Sequence, residues 1–289
     1  MTSPTLAAGN ISRRVVSSTG GKATSSYIDS SLVVQVTPKG IRVVEFDEAL
    51  SIFHIVGDGW SLDVDDLDHS WTGKEVVAAS VNASQFVLAL SDGRLALFNM
   101  AEDRSVKLVK YAALYISGLI AYCDCRFHDF TVDNRPREIS AVSCVPFDRT
   151  KHFGLYIAVS FWDSNTVTIL SLEKPDRYMS PVCTSVELPS LPRSLMLHNF
   201  GSGNKSKDHD FQPYVLAGLA DGSAVTFAFR NNQLLDKKIF GLGTAPVVLS
   251  PCQVIGRFSV FASGSRAAIL HWDRKRLRQS PVMLKVKQM

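Results

Sequence analysis

The chain alternates dense apolar runs with short polar turns, and five stretches share one form. They are "SLVVQVTPKGIRVVEF" (31–46), "FVLALSDGRLALF" (86–98), "YIAVSFWDSNTVTILSL" (156–172), "YVLAGLADGSAVTFAF" (214–229) and "VFASGSRAAILHW" (260–272). Each has an apolar, β-branched or aromatic arm, a turn of two or three residues, and a second such arm. That pattern predicts a β-hairpin, because branched and aromatic side chains suit a pleated surface and Gly, Asp, Asn and Ser suit the turn. The first arms are almost wholly apolar, as expected of strands buried on both faces.

The turns fall near residues 39, 93, 164, 222 and 265, about 54, 71, 58 and 43 residues apart. Propeller blades repeat at roughly 40–50 residues, so the longer gaps call for insertions. Three polar stretches supply them: 58–74, 124–138 and 199–213. Further apolar segments at 106–114, 138–147, 194–200 and 245–254 fall where the flanking strands of four-stranded blades belong. The expected fold is all-β, a β-propeller of about five recognisable blades of antiparallel strands, complete or partial. A β-sandwich would show tighter spacing of 8–12 residues and fewer long insertions. Residues 111–123 are compatible with helix by composition, but Gly118 and the neighbouring β-branched residues leave the segment open. Residues 1–26, with the Ser/Thr/Gly-rich "SSTGGKATSS" at 17–26, are expected to be a disordered or linker tail, and 27–289 the propeller domain.

Composition supports a folded core: hydrophobic residues make up 46% of 289 and charged residues 20%. The net charge of +4 selects no class of partner, but its distribution is uneven. Glu45 to Asp68 holds eight acids and no Lys or Arg, whereas Arg257 to the end holds eight bases against Asp273. Such blocks steer partners or form solvated loops. The five cysteines are odd in number and scattered, which disfavours a disulfide framework. The longest uncharged apolar run, 111–123, is shorter than the roughly 20 residues of a membrane span. No membrane association is expected.

Candidate chemistry is sparse. Cys123, Cys125, His128 and Asp129 lie together, but the cysteines are one residue apart and no second ligand pair follows, contrary to zinc spacing. "DVDDLD" (63–68) opens like a calcium loop, yet positions six and twelve are Asp68 and Lys74 where Gly and Glu are required. "GSGNKS" (201–206) lacks the Gly-Lys pair of a phosphate loop. "DRKRLRQ" (273–279) could contact phosphates, but no aromatic stacking partner is interleaved, and a solvent-facing hairpin tip is expected. The seven histidines are spread out, and no nucleophile elbow or paired-histidine motif accompanies them. No catalytic, cofactor-binding or metal-binding residue is assigned, and no enzyme activity is expected.

The C-terminal part carries a resemblance. "LPRSLMLHNF" (191–200), "YVLAGLADGSAVTFAF" (214–229), "LLDKKIFGLGTAPVVLSPC" (234–252) and "VFASGSRAAILHW" (260–272) occur in that order. Together they resemble the second β-propeller of the damaged-DNA-binding protein 1 family. The resemblance is carried well from about 185 to 289, by strand order alone from 27 to 184, and not by 1–26. The superfamily also holds the large splicing-factor and cleavage-and-polyadenylation specificity subunits, which share an "LG-x-x-P" run. Full-length members have two further propellers and a C-terminal helical domain, so the chain is expected to hold only most of the second propeller. The resemblance implies a non-enzymatic scaffold in the nucleus, with the cytoplasm as the alternative, docking a cullin-4 scaffold, or other subunits of a large nuclear complex, within a ubiquitin-ligase adaptor for DNA repair. The alternative it implies is a propeller of an RNA splicing or mRNA 3′-end processing complex. Direct nucleic-acid contact would rest on the basic C-terminal stretch.

Overall fold

A computed structural model describes residues 4–19, 22–57, 59–62, 73–100, 106–114, 120–122, 137–148, 151–173, 179–201 and 211–282. The described chain forms twenty-two strands in five antiparallel sheets in propeller arrangement, each sheet built from consecutive strands. The first sheet runs β1 (Ala7–Thr19), β2 (Lys22–Thr37), β3 (Gly40–Asp47) and β4 (Ile52–Ile55), with the short β5 (Trp60–Ser61) also paired to β3. The second is β6 (Val76–Val81), β7 (Gln85–Leu90), β8 (Arg94–Met100), β9 (Val106–Leu114) and β10 (Ile120–Tyr122). The third is β11 (Ile139–Ser143), β12 (Tyr156–Phe161), β13 (Ser164–Ser171) and β14 (Ser180–Thr184). The fourth is β15 (Pro192–Asn199), β16 (Pro213–Leu219), β17 (Ser223–Arg230) and β18 (Gln233–Gly241). The fifth is β19 (Val248–Val254), β20 (Arg257–Ser263), β21 (Ala268–Asp273) and β22 (Arg276–Pro281).

The five hairpins read from the sequence are the second and third strands of the five sheets. The first strands β1, β6, β11, β15 and β19 neighbour one another from sheet to sheet, so they line the inside of the arrangement. The open segment at 111–123 is strand where it is described, with β10 paired to β9 through Ile120↔Leu114 and Tyr122↔Ala112. Among the described residues no helix is long and apolar enough to cross a membrane.

The structure differs from the expected tail. Ala7–Thr19 is strand, paired with β2 from Ala7↔Val36 to Thr19↔Lys22. The register shifts between Asn10 and Ser12, and Ile11 in that shift is buried against the first sheet's core. The Asn10 amide holds the opposite strand, donating to Ser30 O at 2.7 Å and accepting from Ser30 N–H at 3.2 Å. Serine and threonine tolerate an extended backbone, so the polar composition that suggested a linker is also that of a paired ribbon.

Each buried apolar cluster joins consecutive sheets. Phe86, Leu88 and Leu90 of β7 face Val34, Val36 and Val43 of the first sheet. Val87 and Ala89, the alternate residues, face Ile157 and Val159 of the third. This is why "QFVLAL" is apolar at nearly every position and fully buried: both faces of a middle sheet are core. Ala158 and Ile169 meet Val215 and Val225 across the next seam, and Leu216 and Ala228 meet Val260 and Leu270 across the last. The outermost β18 returns to an exposed, alternating pattern, as an edge strand does.

A second device crosses the seams. A serine on one first strand accepts a backbone N–H from the next sheet's inner segment, in three successive places. Ser80 Oγ takes Cys144 N–H at 3.0 Å, Ser143 Oγ takes Leu197 N–H at 3.1 Å, and Ser194 Oγ takes Leu249 N–H at 3.1 Å. Ser143 is 2% exposed, so loss of its hydroxyl strands a donor that water cannot reach. Ser143→Ala is expected to destabilise the chain by about 1–3 kcal/mol. Thr168→Val, which keeps the branched shape and removes only a hydroxyl contact to the exposed Thr184, is expected to cost less than about 0.5 kcal/mol. Urea unfolding of both variants checks the contrast; equal losses would deny the seam serine its role.

Candidate docking groove

The described residues that follow the first and third strands and precede the second and fourth lie at one end of the sheets. Between the third, fourth and fifth sheets they enclose a groove of about 1120 Å³. Small-molecule pockets usually hold about 300–1,000 Å³, so this one has room for several side chains.

Its floor is aromatic. Phe147, just past β11, stacks on Phe229 at the end of β17, with ring centroids 5.4 Å apart and planes at 22°. Tyr156, opening β12, meets Phe229 edge-on at 4.9 Å and 71°. Leu197 and Pro213 complete the buried base, while Phe211 and Trp272 are half-buried in the walls. Offset and edge-to-face rings at these distances add about 0.5–1.5 kcal/mol per pair beyond area burial, which fixes the third sheet against the fourth here.

The rim is polar and carries more cations than anions. Among the described residues Lys151, Arg230 and Lys275 line it, against one lining carboxylate, Asp148. Arg230 Nη2 donates to Gln212 Oε1 at 3.3 Å. Asn231 and Asn232 form the β17–β18 turn, both in the left-handed region at φ 49° and 60°, where asparagine is among the few non-glycine residues that sit readily. Tyr156 ties floor to rim: its hydroxyl donates to Glu173 Oε1 at 2.8 Å and lies 2.9 Å from Asn232 Oδ1. Burial first, and then the Glu173 carboxylate, pushes the Tyr156 phenol well above its ordinary range.

The sequence candidates fall elsewhere. Cys123, Cys125, His128 and Asp129, together with Asp63–Asp68 and residues 202–206, lie outside the described residues. Among the described residues no three His, Cys, Asp or Glu side chains group as metal ligands. "DRKRLRQ" is the β21–β22 hairpin, with Arg274 and Lys275 in its left-handed turn and Arg278 Nε 3.3 Å from Asp273 Oδ2. Only Lys275 of that stretch reaches the groove. Cys144, never a site candidate, is wholly buried at the second-to-third seam. Burial raises its thiol to about 11 against the opposing hydrogen bonds of Ser80 and Asn82, so it is a packing residue and not a nucleophile. The groove was not foreseen: Phe147, Tyr156, Phe229 and Trp272 each read as ordinary strand-end aromatics.

A raised phenol favours the neutral form in the folded state. The stability it contributes is therefore full below the ordinary tyrosine value of about 10 and falls as pH climbs above it. Tyr156→Phe has no such proton to lose. It is expected to cost about 0.5–1.5 kcal/mol at pH 7, through the lost bond to Glu173, and to fall less steeply than the parent between about pH 9 and 11. Urea midpoints measured across that range check both; parallel curves would contradict the shift.

The comparisons with known proteins agree with the sheet architecture. The sequence matches the family described as RSE1/DDB1/CPSF1 second beta-propeller over residues 2–289. The match begins at residue 2, which corrects the expectation that residues 1–26 fall outside the family. DNA damage-binding protein 1 of Oryza sativa subsp. japonica is 27% identical over 258 residues, covering 89% of this chain and 19% of the relative. DNA damage-binding protein 1a of Arabidopsis thaliana is 26% identical over 257 residues, covering 88% and 19%. Splicing factor 3B subunit 3 of Danio rerio is 25% identical over 264 residues, covering 89% and 19%. The chain spans about a fifth of the length of the curated relatives it matches. With the five stacked sheets and a match over almost its whole length, the chain belongs to the RSE1/DDB1/CPSF1 second β-propeller family.

Proposed function

We propose that the chain is a non-enzymatic protein-docking module of a nuclear complex, acting as the cullin-4-facing propeller of a ubiquitin-ligase adaptor in DNA damage repair. The observation that carries this reading is the family match over residues 2–289 together with relatives named DNA damage-binding protein 1 at 26–27% identity over most of the chain. The architecture suits the role. Sheets locked face to face by four apolar seams hold their end loops in fixed relation, and such loops are where binding surfaces are built. Binding in that mode needs no cofactor.

A second reading has its own support. Splicing factor 3B subunit 3 of Danio rerio and of Drosophila melanogaster match at 25% and 24% identity. On that reading the same module serves an RNA-processing complex.

A pull-down from nuclear extract with the tagged chain separates the two. The first reading expects recovery of cullin-4 and direct retention of a purified cullin-4 N-terminal fragment. Recovery of splicing-complex subunits with no retention of the fragment would replace it with the second.

A further inference from the structure

The groove at the loop end has a chemistry that neither reading assigns. We infer that it is a docking site for an acidic peptide segment of a partner protein that inserts an apolar or aromatic side chain over Phe147, Tyr156 and Phe229. The inference rests on the chain being a docking module, but not on the identity of its partner, so a failed cullin pull-down and a failed peptide titration are separate results.

Three observations point to this occupant. The first is the layered polarity. Apolar floor and polar rim are the arrangement of a peptide pocket, in which one anchor is desolvated and its neighbours stay at the edge. The second is charge. Lys151, Arg230 and Lys275 rim the groove, and among the described residues none of them is in a salt bridge, so the rim complements carboxylates flanking an anchor. Of the carboxylates on these elements, Glu173 already accepts from Tyr156, Asp273 pairs with Arg278, Asp236 lies beyond the β17–β18 turn, and among the described residues Asp148 is the one that lines the groove. The third is the turn itself. The exposed side chains of Asn231 and Asn232 carry donors and acceptors beside the floor, suited to the backbone of an extended segment.

The same charges would attract a nucleic-acid strand, but the floor argues against one. Bases bind by stacking on open aromatic faces. Phe147 and Phe229 stack on each other and Tyr156 meets Phe229 edge-on, so the floor seats a single anchor and offers no row of faces for successive bases.

The test is fluorescence anisotropy on the full chain. The probe is a labelled peptide of about ten residues with a central Trp-Leu pair between runs of Asp and Glu. Three further probes accompany it: its Asn/Gln counterpart, its Ser-Ser counterpart, and an oligothymidylate of similar length. The acidic Trp-Leu peptide is expected to bind, and both counterpart peptides to bind about tenfold more weakly or less. The combined change Lys151→Glu, Arg230→Glu and Lys275→Glu is expected to weaken the acidic peptide by about tenfold or more, with the thermal midpoint unchanged. Should the triple variant unfold early, Lys275→Glu alone, at an exposed turn, must still weaken binding. Absence of peptide binding, equal binding of the uncharged peptide, or indifference to the charge reversals would each overturn the proposal. Preferential binding of the oligothymidylate, lost on the same reversals, would overturn it in favour of a nucleic-acid strand.

Discussion

The inner edge of each sheet sets the problem that the rest of the structure solves. A first strand pairs on one side with its own sheet, and its other edge faces the axis, where sheets that radiate cannot continue a ladder. Its N–H groups there still need partners, because an unpaired buried donor costs about 1–3 kcal/mol. Serine hydroxyls meet that need and do a second thing at once. By reaching from Ser80, Ser143 and Ser194 to the backbone of the following sheet, they tie neighbouring blades at fixed height. The apolar seams alone could tolerate some sliding, since hydrophobic contact is non-directional. The hydrogen bonds are directional, and with them the relative height of neighbouring loop ends is set.

The fourth-to-fifth seam shows how tightly this is drawn. A Cβ on Gly218 would lie 2.2 Å from Val247 O, so the glycine is what lets β16 approach the segment before β19. Gly222, at φ 88°, presents its carbonyl to Leu242 N–H at 2.9 Å, and the Leu242 carbonyl in turn accepts Arg266 N–H at 2.9 Å. Ser265 Oγ then accepts from Ala245 N–H at 2.8 Å. The Asp221-Gly222 turn is thus a joint in a chain of bonds running between blades. Ser194 works at the same seam, while its neighbour Arg193 lies 4.4 Å over the Trp162 ring of the third sheet. The residues that make this part of the chain resemble its family are therefore the ones that join three sheets.

That explains what could be read from the sequence and what could not. Hairpins were legible because their arms and turns are contiguous, and fully apolar first arms announced sheets buried on both faces. The ribbon from Ala7 to Thr19 was missed because polar residues in a strand look like polar residues in a linker, although Gly20-Gly21 between the two arms is itself a hairpin signal. The groove was illegible for a different reason. Phe147, Tyr156, Phe229 and Lys275 come from three sheets, and only the stacking of those sheets brings them together. No local window contains a site whose parts are spread along more than a hundred residues.

The same stacking separates the parts of the molecule that are free to vary from the parts that are not. A change at Ser143 or Gly218 is felt across a seam, whereas a change at Lys151 or Asn231 is felt only at the rim. Relatives that share about a quarter of their residues can then keep one frame while presenting different loop chemistry. On this account the family likeness identifies the frame, and the partner is decided at the strand ends. The aromatic floor belongs to both: Phe147 and Phe229 close the third-to-fourth seam from within and form the base of the groove from without. A rim substitution can alter what binds without loosening the blades, but a substitution in the floor cannot change one without the other.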